Sequence, residues 1–85
     1  MPLKFKTPLT KKENEGLKRE VSKTISKRLK EIRLAKKLSQ QEVAEKAGLH
    51  LTYIGHLELG TYHPSSFVLW KIAQVLNTPL DKFFS

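Results

Sequence analysis

Three histidines, His50, His56 and His63, are the only side chains in this sequence that ordinarily titrate near neutrality, and their spacing limits what they could do. His50 and His56 stand six apart, not at the i, i+4 spacing that puts two imidazole ligands on one helical face. No cysteine is present to complete a ligand set, so no metal site is expected. There is no glycine-rich phosphate loop, nucleophile elbow or paired-carboxylate motif, and the chain is too small to build a deep pocket. Neither enzymatic activity nor a cofactor is expected. What remains is hydrogen bonding from short polar side chains and attraction by lysine and arginine.

Two short amphipathic segments must position the polar groups, and both lie within residues 40–59, QQEVAEKAGLHLTYIGHLEL. Ser39 is a good N-cap, and Glu42 three positions later completes a capping box, so a helix should start at Gln40. Val43, Ala44 and Ala47 form a narrow apolar stripe. Ala44 is the small side chain that two steeply crossing helices need where they touch. Gly48 suits a positive-φ exit from this helix. Leu49 anchors the turn, and Ile54 and Leu57, spaced three apart, face inward from a second helix that Glu58 and Gly60 close. The spacing is that of a helix-turn-helix.

Charge is distributed unevenly around this unit. The chain has 85 residues and a formal net charge of +8. Residues 1–38 hold thirteen Lys and Arg against four Glu, whereas residues 39–85 hold three Lys against three Glu and one Asp. A polyanionic partner follows, with phosphate contacts or electrostatic steering as the role of the upstream charge. The length allows one small domain, with no room for an effector-sensing module. The absence of cysteine fits a reducing cytoplasm. No apolar run approaches the roughly 20 residues that span a bilayer, and the N-terminus lacks the features of a secretory signal.

Upstream, residues 1–9 read as a basic mobile arm. Thr10 and Glu13 could cap a helix in which Leu17, Val21, Ile25 and Leu29 recur every four residues. Gly16 weakens that helix by about 1 kcal/mol relative to alanine, and Ser22 offers another start, so one long helix and two pieces both stay open. Downstream, Leu69, Ile72, Ala73 and Leu76 form a core stripe flanked by Val68 and Val75, while Phe67 and Trp70 point to the other side. These two aromatics either form a dimer interface or are covered by Leu17 and Val21. Phe83 and Phe84 join them as a candidate dimer or partner surface.

Gln40, Ala44, Gly48, Ile54 and Leu57, followed by Glu58 and Gly60, resemble the Cro/cI-type (Xre-like) helix-turn-helix DNA-binding proteins of bacteria and phages. Ile25, Leu29, Ile32 and Arg33 look like that family's first helix, and Pro64 and Ser65 like its loop into the fourth. Thr78, Pro79, Leu80, Asp81 and Phe84 look like its short fifth helix. The resemblance covers about residues 23–85 and implies an all-α, five-helix, lambda-repressor-like domain, with residues 1–22 as a basic N-terminal extension.

The resemblance also implies a site. The second helix of the motif lies in the major groove in this family. Position by position, base readout falls to His50, Leu51, Thr52, Gly55 and His56, with Tyr53 at the margin. Ser39, Gln40, Tyr53, Thr61, Tyr62 and His63 fall where relatives contact the DNA backbone, and Lys4, Lys6, Lys11 and Lys12 form an arm that reaches around the duplex. Arg33 and Glu58 correspond to a structural ion pair. The helix departs from the Gln- and Arg-rich readers common in the family, so direct base preference is expected to be modest and DNA shape to contribute. The implied function is a cytoplasmic, sequence-specific regulator of double-stranded DNA, a homodimeric repressor on an inverted repeat, phage-like or similar to restriction-modification controllers. The alternative is a protein-interaction module of the same fold, such as an antitoxin or co-activator.

Overall fold

The computed structural model describes residues 8–85. Lys4 and Lys6, and with them most of the expected arm, lie outside the described residues. Helix α1 (Lys11–Ala35) starts at a capping box in which the Thr10 hydroxyl accepts from the Glu13 amide at 3.1 Å and the Glu13 carboxylate accepts from the Thr10 amide at 2.9 Å. It runs unbroken through Gly16 and residues 22–24, so one long helix replaces the two pieces the sequence left open. The physical reason is cooperativity: Gly16 costs about 1 kcal/mol inside a helix, whereas a second start would need a new, unfavourable nucleus. The boundary drawn between residues 22 and 23 therefore falls inside α1.

Helices α2 (Gln40–Ala47), α3 (Leu51–Leu59) and α4 (Ser66–Val75) follow. Ser39 caps α2 through a second capping box with Glu42, and Ser65 caps α4 by accepting from the Val68 amide. All four helices end alike. An amide just past each end donates to the carbonyl five residues back: Leu38 to Arg33, Leu49 to Ala44, Thr61 to His56 and Thr78 to Ala73, at 2.8–3.1 Å. This closure needs one left-handed residue, supplied by Gly48 (φ 64°) and Gly60 (φ 79°), but also by Lys37 (φ 58°) and Asn77 (φ 50°).

The core gathers Ile25 and Leu29 of α1, Val43, Ala44 and Ala47 of α2, Ile54 and Leu57 of α3, and Leu69, Ile72, Ala73 and Leu76 from α4 and its cap. Helix α3 packs on α1 and α2, and α4 on α2. Among the described residues no helix is long and apolar enough to cross a membrane.

Three expectations are corrected here. Among the described residues there are four α-helices, and the fifth element is a single 3₁₀ turn (Leu80–Phe83) closed by Lys82 N–H to Pro79 O at 3.1 Å. Residues three apart eclipse in a 3₁₀ turn, so Leu80 and Phe83 share one face and both pack on the core. Phe83 is accordingly 0 % exposed, no part of a partner surface, and seated between α1 and α4. Phe84 stays exposed. Leu17 and Val21 do not cover Phe67 and Trp70, which remain 66 % and 52 % exposed, because Val21 packs on the core instead. The Lys71 ammonium lies 5.3 Å above the Phe67 ring.

Candidate nucleic-acid interface

The two-helix unit forms where the caps and the apolar stripe require it. Leaving α2, the chain turns through Gly48, and extended backbone at His50 (φ −76°, ψ 142°) starts α3. Ile54 and Leu57 point inward and are buried, which turns the opposite face outward. On that face Leu51 and Thr52 are exposed and Gly55 and His56 half-buried, with exposed His50 at the entrance. A Cβ at Gly55 would sit 3.8 Å from Gln40 Oε1, an ordinary contact, so packing inside the domain does not demand glycine there.

The anchor of α3 is a bidentate ion pair. Arg33 Nε donates to Glu58 Oε2 at 2.6 Å and Arg33 Nη2 to Oε1 at 2.9 Å, with the two side chains only 9 % and 4 % exposed. Nη1 donates to the Leu38 carbonyl at 2.9 Å, and the Gln40 amide donates to Glu58 Oε1 at 3.1 Å. No buried polar side-chain atom among the described residues lacks a partner. The hydrogen bonds that Arg33 donates to the Glu58 carboxylate, opposed by burial, raise the Arg33 pKa above its ordinary value. Thus α1, α2 and α3 are joined by one charged, fully bonded network.

Of the expected backbone contacts, Ser39 is engaged in capping and the Gln40 side chain in this network. Thr61, Tyr62 and His63 follow the C-terminal end of α3, and Tyr53 reaches Tyr62 from the helix's first turn. His56 stacks on Tyr62 with centroids 4.5 Å apart, and Tyr53 tilts against Tyr62 at 5.5 Å. Burial, and secondarily Tyr62, raises the Tyr53 pKa, so its phenol stays neutral at physiological pH. His56 Nδ1 and Thr61 Oγ1 are 3.1 Å apart. His63 Nδ1 meets Ser22 Oγ at 3.1 Å, which ties this loop to α1.

The loop's second neighbour could not be read from the sequence. Lys18, Arg19 and Lys23 of α1 line an open groove with Leu59 and Gly60, which brings upstream cations beside the end of α3. The His56–Thr61 pairing was also missed, although a signal existed. A glycine closing a helix brings together the residues four before it and one after it, here around Gly60. Among the described residues, no group of three or more His, Asp or Glu could hold a metal ion.

Residues 29–83 match the helix-turn-helix family. The chain belongs to that family. This helix-turn-helix chain is 37 % identical over 57 residues to an uncharacterized HTH-type transcriptional regulator of Archaeoglobus fulgidus, covering 67 % of this chain and 80 % of the relative. It is 40 % identical over 54 residues to the immunity repressor protein of Bacillus phage phi105, covering 64 % of this chain but only 38 % of that longer protein. The crystal structure of the restriction-modification controller protein C.AhdI from Aeromonas hydrophila matches with a TM-score of 0.72 at 33 % identity, covering 74 % of this chain and 96 % of the controller. The Cro/cI-type reading of residues 40–60, and with it a DNA-binding transcriptional regulator, is borne out.

Proposed function

We propose that this helix-turn-helix chain is a cytoplasmic repressor that binds an inverted-repeat operator as a homodimer, with α3 in the major groove of each half-site about one helical turn from its partner. Repression follows from occluding polymerase. The observation that carries the reading is the outward face of α3, where Leu51, Thr52, Gly55 and His56 stand on a helix anchored by Arg33 and Glu58. Gly55 weakens a nine-residue helix by about 1 kcal/mol with no internal demand for it, and close approach to a groove accounts for it. Thr52 and His56 offer hydrogen bonds, and Leu51 a surface for a thymine methyl. Lys18, Arg19 and Lys23 supply phosphate contacts alongside Thr61, Tyr62 and His63. Phe67 and Trp70 supply the dimer surface. The match to the controller takes in 96 % of the controller's own length, which supports a controller-like role.

Selection of binding sites from random duplex DNA at two salt concentrations, with sedimentation of the free protein, tests this proposal. An enriched inverted repeat and a dimer that Trp70→Glu dissociates are expected. A monomer that binds without enrichment overturns it. The exposed Phe67 and Trp70 also fit a second reading, a protein-interaction module, which predicts no DNA binding at either salt concentration.

A further inference from the structure

His56 follows Thr52 by four residues and shares its face of α3. The Thr61 hydroxyl sits between two atoms of His56: its oxygen is 3.1 Å from ring Nδ1 and 3.1 Å from the His56 carbonyl oxygen. A hydroxyl has one proton, and a carbonyl only accepts. The bond to the carbonyl therefore uses the Thr61 proton, and the bond to the ring must take its proton from Nδ1. A neutral imidazole has one N–H, so Nε2 is left as a bare acceptor. Stacking on Tyr62, 4.5 Å away and 21° from parallel, holds the ring plane, and Tyr53 backs Tyr62 in turn.

We infer that Thr61 and Tyr62 fix His56 as a hydrogen-bond acceptor, so that α3 selects a base carrying a major-groove amino group, adenine or cytosine, where His56 meets the DNA. The inference rests on the DNA-binding reading above and adds the polarity of one contact. Adenine presents its N6 amino group and cytosine its N4 amino group to the major groove. Guanine and thymine present acceptors there, and these set lone pair against lone pair with Nε2. Thr61 is thus a positioning residue: it sets the tautomer of the ring.

The test pairs ring ¹⁵N spectra of the free protein with site selection on the full chain, both near pH 8, where an ordinary imidazole is neutral. The spectra should show His56 protonated on Nδ1, with mixed tautomers in Thr61→Val and the native tautomer restored in Thr61→Ser. In the selection, one position per half-site should favour adenine or cytosine on the contacted strand by roughly five- to ten-fold, as loss of one neutral hydrogen bond implies. That preference should vanish in His56→Ala, flatten in Thr61→Val and return in Thr61→Ser. An Nε2-protonated ring, or guanine or thymine at the His56-dependent position, overturns the inference and leaves DNA binding standing. A pool without any enriched sequence overturns both, and an Nδ1-protonated ring in that case identifies the DNA reading as the part that failed.

Discussion

Arg33 and Glu58, 25 residues apart in the chain and on different helices, meet in two parallel hydrogen bonds of 2.6 and 2.9 Å, with Leu38 and Gln40 closing the remaining positions. A buried pair of this kind contributes modestly against a hydrophobic replacement, yet losing one partner is costly because the other stays charged and unpaired. Glu58→Ala should therefore lower stability by about 3–5 kcal/mol. Chemical denaturation measures it, and a midpoint equal to wild type would contradict the role given to the pair. Site selection on the same variant, below its melting temperature, should lose sequence preference before it loses affinity.

The left-handed exits from the helices provide a second check. Lys37 holds φ 58° where a side chain is strained, and it is exposed, so Lys37→Gly should stabilise the domain by about 0.5–1 kcal/mol. Gly60→Ala should destabilise it by about 1–2 kcal/mol because φ is 79°, the added Cβ itself making only an ordinary contact 3.5 Å from Ser26 Oγ. Thermal melts of the two variants should move in opposite directions, and a shift of the same sign in both would defeat the account.

Acid stability should carry the signature of the α2 cap. Hydrogen bonds from the Ser39 backbone amide, and next from its hydroxyl, hold the Glu42 carboxyl below its usual 4.5. A carboxylate with a depressed folded pKa stabilises the fold above the unfolded value, and the contribution is lost as pH falls through the folded one. The window lies below pH 4.5. Glu42→Gln keeps an acceptor and removes the titration, so it should cost stability at about pH 6 and converge on wild type toward about pH 3. Melting curves that stay parallel across that range would exclude the cap as the source.

The groove cations are open to a salt titration. If Lys18, Arg19 and Lys23 each neutralise a phosphate, replacing all three with glutamine should reduce the slope of log affinity against log salt by about 2.7. An unchanged slope would assign these side chains to solvent and return the electrostatic share to other lysines.

Local chemistry was legible in the chain wherever neighbours in sequence determine the outcome. The capping residues Thr10 and Ser39, the glycines that end α2 and α3, and the inward stripe of Val43, Ala44, Ile54 and Leu57 all follow from short-range patterns. The pairing of Arg33 with Glu58 came from the resemblance, because no local rule joins two residues on different helices. Lys37 and Asn77 adopt left-handed backbone that composition alone would assign to glycine, since the packing of α1 and α4 imposes the exit whatever residue occupies it.

Which helical face α4 turns inward was set by its own periodicity, whereas the exposure of Phe67 and Trp70 was decided by Val21 packing on the core. Tertiary structure decided what periodicity leaves degenerate. It wound the last element as a 3₁₀ turn that buries Phe83 and turned the Gln40 amide toward Glu58. It also brought Ser22 to His63 and Lys18, Arg19 and Lys23 to the end of α3. Each outcome depends on contacts between segments distant in the chain. Their energies are set by the space and the hydrogen-bonding partners that the assembled helices leave, and no single segment carries that information alone.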